Sequence, residues 1–94
     1  MIISYSRAAQ TDIQYIFDYI ARENPSAAAR VVSAIESSIL RLGLFPLSGR
    51  SGAVQGTREL VIPRLPYIAV YQVTIDHVEI VAVFHAAQNK PRGF

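Results

Sequence analysis

The strongest constraint on the fold is a pair of helical patterns separated by a very short break. Behind Ser6, a residue suited to capping a helix, apolar residues recur at helical spacing. These residues are Ala9, Ile13, Ile16, Phe17 and Ile20. Asn24-Pro25 then ends this helix and begins the next, because asparagine caps a helix and proline is tolerated at its first position. So short a connection predicts an antiparallel helical hairpin.

The second helix is expected to run to about Leu42, with Gly43 as a C-terminal residue that tolerates positive φ. Its apolar stripe is Ala28, Val31, Val32, Ile35, Ile39 and Leu42. Residues 44–56 are rich in glycine, proline and serine, which predicts a loop carrying Arg50. Three apolar side chains are expected to pin this loop to the core: Leu44, Phe45 and Leu47.

Short β-prone segments complete the pattern. Residues 2–5 predict an edge strand, and three further strands are predicted at residues 57–62, 67–74 and 78–84. Asp76-His77 marks the last connection as a tight hairpin. The last two strands are rich in Val, Ile, Tyr and Phe and should form the centre of the sheet. The fold class is therefore α/β (α+β), in a single domain over residues 1–94.

Composition excludes several classes of protein. The chain is 51% hydrophobic and 17% charged, which excludes intrinsic disorder. No apolar run approaches the roughly 18–20 residues that span a bilayer, and the N-terminal residues do not resemble a secretory signal. We therefore expect a cytoplasmic globular protein with no membrane partner. Without cysteine, and with two histidines, neither a metal site nor a cofactor is expected.

Hydropathy and charge indicate a binding surface. In so small a domain, the abundant apolar residues form a dense core, a partner surface or a self-association surface, and the sequence leaves these open. Up to Leu40 there are three basic and four acidic residues, whereas from Arg41 onward six basic residues face three acidic ones. The second half can therefore attract an acidic partner, although phosphate binding would normally need a denser basic stripe.

Few residues suggest catalysis. There is no Gly-x-Ser-x-Gly elbow and no phosphate-binding loop motif. His85, at the end of the last predicted strand, could transfer a proton near neutral pH or could simply anchor the following residues by a hydrogen bond. Arg50, Arg58 and Arg64 could form a cluster for a carboxylate or phosphate, or could be solvated loop arginines. His77, in a predicted turn, is expected to be solvated.

Four segments share their order and spacing with a known family: Ser48–Arg50, Gly56–Val61, Pro66–Val73 and Val78–Gln88. Positions of the first helix agree as well: Ser6, Ala9, Asp12, Ile16, Tyr19 and Ile20. Over nearly its whole length the chain resembles the RelE/ParE toxins of bacterial type II toxin–antitoxin modules. The resemblance implies a helical hairpin packed on a mainly antiparallel, twisted sheet. It also implies a cognate antitoxin whose C-terminal segment wraps around the toxin.

The family has two functional branches. RelE-like toxins cut mRNA in the ribosome with basic and aromatic residues that stabilise the transition state and move protons. At the places where that branch carries an arginine, two lysines, a basic residue and a C-terminal tyrosine, this chain has Ile68, Glu59, Val61, Gln88 and Phe94. These replacements should remove most of the transition-state stabilisation.

ParE-like toxins instead poison DNA gyrase by binding it. Gly56–Leu60, the Pro-Tyr-x-x-x-Tyr strand and Phe84–Gln88 look closer to this branch, which favours a gyrase-directed toxin without a catalytic set. Contacts with gyrase or antitoxin are expected at Arg50, Arg58, Arg64, His85, Lys90 and Arg92.

Two other functions stay open. One is a ribosome-dependent endoribonuclease that uses His85, with Lys90 and Arg92 supplying charge if the tail folds back. The other is an attenuated toxin that only binds its antitoxin and helps to repress their operon. The stoichiometry of the antitoxin complex is likewise open, including a higher-order oligomer.

Overall fold

The computed structural model describes residues 1–88, so Lys90, Arg92 and Phe94 lie outside the described residues. The elements are β1 (Ile2–Tyr5), α1 (Arg7–Ala21), α2 (Pro25–Leu40), a 3₁₀ turn (Arg41–Gly43), β2 (Arg50–Ser51), β3 (Arg58–Val61), β4 (Tyr67–Val73) and β5 (His77–His85). Neither of the two α-helices in this part of the chain is long and apolar enough to cross a bilayer.

Both helices begin at the predicted capping residues. The Ala9 amide donates to Ser6 Oγ over 3.0 Å, and the Ala27 amide donates to Asn24 Oδ1 over 3.0 Å. Each bond satisfies an amide that has no partner inside its helix. The helical hairpin is therefore confirmed, together with the local chemistry that starts each helix.

The predicted end of the second helix needs a correction. The α-helix stops at Leu40, and the chain tightens into the 3₁₀ turn that contains Leu42. Gly43 does not adopt the expected positive φ, which among the described glycines belongs to Gly56. A Cβ on Gly43 would instead lie 3.1 Å from the Met1 carbonyl oxygen, so the glycine permits a close approach of the first strand.

The five strands form one sheet in the order β1-β5-β4-β3-β2. β1 runs parallel to β5, with Ile2 opposite His77, and the other pairs are antiparallel. The β4–β5 hairpin closes where the Thr74 amide donates to the His77 carbonyl over 2.8 Å. The mainly antiparallel sheet and the inner position of its last two strands are thus confirmed, whereas the two-residue β2 was not predicted.

The main core lies between the helical hairpin and one face of the sheet. Ile16, Ile35 and Ile39 from the helices pack with side chains of β4 and β5 that include Tyr71 and Ile80. Strand residues in alternate positions form a second buried cluster: Ile68, Val70, Ala82 and Phe84. Because alternate residues point to opposite faces of a strand, this cluster lies on the other side of the sheet.

The prediction that apolar side chains pin the loop before β2 is wrong. Leu44, Phe45 and Leu47 are 80%, 57% and 64% exposed. The loop is held through its backbone, because the fully buried Tyr71 donates its hydroxyl to the Pro46 carbonyl over 2.8 Å and accepts from the Gly49 amide over 2.9 Å. A loop without strand partners needs such bonds, since its buried polar groups would otherwise be unsatisfied.

Candidate functional site

His85 lies where the last strand ends, opposite the first residue of β4, Tyr67. The two rings meet edge to face, with centroids 5.3 Å apart. The Ala87 amide donates to His85 Nδ1 over 3.0 Å, and the His85 amide donates to Gln88 Oε1 over 3.1 Å. With Nδ1 as an acceptor, the neutral ring carries its proton on Nε2. The imidazole therefore holds the turn that follows β5.

A cavity of about 530 Å³ is lined by this end of β5 and by helix α1. Its lining includes Asp12, Tyr15 and Tyr19 from the helix, and Tyr67, His85 and Gln88 from the sheet and the turn after it. β1 pairs with β5 only as far as Ile80, so the β5 backbone beyond that residue has no strand partner on this side. Helix α1 and its capping residue Ser6 lie beside this part of β5 and supply hydrogen-bond partners to it.

Two side chains cover the exposed edge of β5. The Val83 amide donates to Asp12 Oδ2 over 2.9 Å, and Ser6 Oγ donates to the Val81 carbonyl over 3.1 Å. These bonds replace the ladder that a longer β1 would have made, and they block the edge to another strand. Asp12 therefore combines a structural bond with a position on the cavity wall.

The cavity is aromatic and carries a negative charge. Of the described residues that line it, Asp12 is the charged one. Burial, and secondarily the neighbouring Tyr19, raises the pKa of the Tyr67 hydroxyl above its usual value, so this group stays protonated at neutral pH. A neutral aromatic wall beside one carboxylate suits a cation or an apolar group better than a phosphate.

Sequence reasoning missed two exposed aromatic residues of this site. Tyr15 and Tyr19 are 63% and 60% exposed, and their rings stack with centroids 6.4 Å apart. The Arg22 guanidinium carbon lies 5.9 Å from the centre of the Tyr19 ring, which is within cation–π range. The available signal was the spacing of two tyrosines four positions apart on the polar face of a helix.

Arg50 on β2 and Arg58 on β3 are both engaged within the chain. They point to opposite faces of the sheet, because Arg50 pairs with Glu59 and Arg58 with Ser51. Arg50 makes an ion pair with Glu59 over 3.1 Å, and the other Glu59 oxygen accepts from the Ala53 amide. The Arg58 guanidinium donates to the Gly49 carbonyl over 2.9 Å. Both arginines therefore stabilise the loop around β2, although the Arg50 side chain remains 60% exposed.

Arg64 does not join them. It lies beyond the other end of β3, in the turn before β4, with a φ of 65°. Pro66 of the same turn accepts a bond of 2.7 Å from the Ala86 amide, which places this turn beside the residues that follow His85. The three arginines considered as one cluster therefore lie in two places: Arg50 and Arg58 near the start of β3, and Arg64 after its end. Lys90 and Arg92 lie outside the described residues.

Positions that carry catalytic groups in RelE-like toxins have other roles here. Ile68 is buried in the second cluster, Glu59 is paired with Arg50, and the Gln88 side chain accepts the amide of His85. Within residues 1–88 no group of three His, Cys, Asp or Glu residues could hold a metal ion. His77, which was predicted to be solvated in a turn, is instead the first residue of β5. Its side chain is 40% exposed, with Nδ1 2.8 Å from an Asp76 oxygen.

A helical hairpin packed on a mainly antiparallel sheet is the fold that the resemblance to RelE/ParE toxins implied. A sequence profile described as "ParE toxin of type II toxin-antitoxin system, parDE" matches residues 3–90. The chain belongs to this family. The predicted resemblance to the ParE-like branch is therefore confirmed, and the family context makes an antitoxin its partner.

Two similar proteins agree with this assignment. "Putative toxin Y4kP" of Sinorhizobium fredii (strain NBRC 101917 / NGR234) is 41% identical over 90 residues, which cover 96% of this chain and 93% of that protein. A solved structure titled "Chromosomal ParDE TA system from P. aeruginosa" superposes with a TM-score of 0.81 at 26% identity, covering 90% of this chain and 95% of that one. The fold class is confirmed by this superposition.

Proposed function

We propose that this toxin acts in the cytoplasm by binding DNA gyrase, without catalysing a reaction, and that a cognate antitoxin neutralises it. The observation that carries the proposal is the environment of His85. Cleaving RNA requires groups that stabilise developing negative charge on the phosphate. The described walls around His85 instead present tyrosines and the Asp12 carboxylate.

The hydrogen bonds of His85 support the same conclusion. Nδ1 accepts the Ala87 amide, so protonating that nitrogen would break a bond that holds the turn. A general acid–base group gains and loses its proton in every turnover, and this nitrogen is committed to a structural bond. Nε2 remains free to contact a partner by hydrogen bonding.

Inhibition by binding requires a higher affinity for one state of the target than for the others. Such a toxin would hold gyrase in the state with cleaved DNA and prevent resealing. Among the proposed contact residues, Arg50 and Arg64 are exposed and would touch the partner directly. Arg58 and His85 would act mainly by holding the loops around them, and Lys90 and Arg92 are kept as further proposed contacts.

Besides the contact residues named above, a second surface of the toxin is a candidate for antitoxin binding. Four apolar side chains are more than half exposed at the end of α2 and in the segment that leads to β2: Leu40, Leu44, Phe45 and Leu47. The neighbouring Arg41 is also exposed. Several exposed apolar side chains within one short segment are typical of a partner site on a small protein. An amphipathic, acidic segment of the antitoxin would cover the apolar side chains and meet the arginine.

The decisive experiment incubates the purified toxin with gyrase, ATP and supercoiled plasmid and then measures linear DNA after denaturing the enzyme. Linear DNA should accumulate with toxin concentration. The same protein, added to a translation reaction, should create no new mRNA 5′ ends at the ribosomal A site. No accumulation of linear DNA, together with A-site cleavage, would refute the proposal and favour the endoribonuclease.

His85→Asn sharpens the test, because Asn Oδ1 takes the place of Nδ1 and keeps the acceptor for the Ala87 amide. We expect it to retain the gyrase effect within about threefold, whereas loss of an acid–base catalyst would cost about 10²–10⁴-fold. His85→Gln places its oxygen nearer the Nε2 position and serves as the matched comparison. Cleavage of mRNA at the A site by the unaltered toxin that is lost in His85→Asn, with unchanged stability, would contradict a binding-only role.

Antitoxin binding is tested by co-purification with the product of the neighbouring reading frame, with and without its C-terminal segment. The intact antitoxin should bind and raise the thermal stability of the toxin, as any ligand of the native state must. Equal binding by the truncated form would contradict a C-terminal segment that covers this surface.

A further inference from the structure

The cavity between α1 and β5 has the chemistry of a site for an organic cation. Tyr15, Tyr19 and Tyr67 supply aromatic surface, and Asp12 supplies the charge. Aromatic faces attract ammonium and guanidinium groups, and a nearby carboxylate adds direct attraction. We infer that this cavity binds an arginine or lysine side chain of a protein partner.

The structure already contains one contact of this kind. Arg22 lies over the outer side of the Tyr15–Tyr19 stack, 5.9 Å from the Tyr19 centroid. Arg22 caps the helix ten positions after Asp12, which corresponds to about 15 Å along the axis. The tyrosine stack is thus positive at the Arg22 end and negative at the Asp12 end, and an incoming cation is drawn to the cavity end.

The negative charge of the cavity wall favours a protein partner over a nucleic acid. Stacked tyrosines also suit unpaired bases, but single strands are bound with a positively charged groove along the phosphates. Here the charged residue among the described lining is a carboxylate. The Asp12 Oδ2 atom accepts the Val83 amide, which fixes the carboxylate in place without neutralising it. The inference goes beyond the proposed function, since it holds whichever enzyme is the target.

The test titrates the full-length, ¹⁵N-labelled toxin with N-acetyl-arginine amide and, separately, with N-acetyl-citrulline amide, its neutral isostere. We expect saturable amide shifts at Tyr19 and Val83 with the arginine probe, at an affinity about threefold or more above that of citrulline. Equal shifts with the two probes, or no saturable shift with arginine, would overturn the inference. So would tighter binding of a thymidine oligonucleotide at the same residues.

The variants Asp12→Asn and Tyr19→Leu test whether the arginine probe binds in this cavity. Asparagine keeps an acceptor for the Val83 amide and removes the charge, and Tyr19 is exposed, so both variants should fold. Each should weaken arginine binding about threefold or more. Asp18→Asn is the matched control, because it removes the same charge from an exposed position of the same helix that does not line the cavity. An equal loss of arginine affinity in Asp18→Asn would show that the effect comes from the net charge of the protein. That result would overturn the assigned site.

Discussion

Tyr71→Phe tests whether one buried hydroxyl holds the loop before β2. The hydroxyl donates to the Pro46 carbonyl over 2.8 Å and accepts from the Gly49 amide over 2.9 Å, and Tyr71 is fully buried. Phenylalanine keeps the ring and removes both bonds. The buried Gly49 amide is then left without a partner, at a cost of about 1–3 kcal/mol. The Pro46 bond adds roughly 1 kcal/mol, because its carbonyl is only partly buried.

The total loss should therefore be about 2–4 kcal/mol. For a domain of this size, that lowers Tm by roughly 8–30 °C. Urea denaturation gives the free energy of unfolding directly, and hydrogen exchange gives the local effect. The Gly49 amide should exchange much faster in the variant, whereas the Val83 amide, bonded to Asp12, should follow only the global loss.

Tyr15→Phe is the matched control, because it removes a hydroxyl from a side chain that is 63% exposed. It should change stability by less than about 0.5 kcal/mol. If Tyr71→Phe were no more destabilising than this control, the hydroxyl would not hold the loop.

Three further predictions concern packing, capping and pH. Gly49→Ala should cost about 1–3 kcal/mol, measured in urea, because the added Cβ would lie 2.5 Å from Tyr71 Oη; unchanged stability would show that the loop can shift freely. Asn24→Ala should cost about 1 kcal/mol of helix-capping energy and Asn24→Gly only a few tenths, and equal losses in thermal melts would argue against the cap. Burial raises the pKa of Tyr5, with a further contribution from Glu36, and burial raises that of Tyr67. The unfolded chain therefore releases its phenolic protons first, so stability should fall as pH rises through about 10 and beyond; Tyr67→Phe should flatten that fall, and an unaltered pH profile would contradict the assignment.

The helical hairpin was predictable because its signals are local. Apolar spacing sets the buried face of each helix, and the caps at Ser6 and Asn24 act within three residues of the amides they bind. The last two strands were predictable for a similar reason, since a tight turn places their apolar residues side by side. The family resemblance supplied the mainly antiparallel arrangement of the sheet.

The loop and the cavity were not predictable, because their contacts join residues distant in sequence. Leu44 is apolar yet 80% exposed, since the loop is fixed by a tyrosine that follows it by more than twenty positions. Asp12 and Val83 are separated by 71 positions, and no local pattern indicates that a helix carboxylate will bind a strand edge. Only the assembled sheet brings such groups together.

The pairing of β1 with β5 also sets the order in which this chain can mature during synthesis. The first strand leaves the ribosome early, but the segment it adjoins, residues 77–80, is made near the end. Until that segment emerges, the N-terminal strand lacks its neighbour and the core lacks Val78 and Ile80. Closing so distant a contact is slow compared with forming the hairpin of helices. The complete fold therefore cannot form until the last strand has been made.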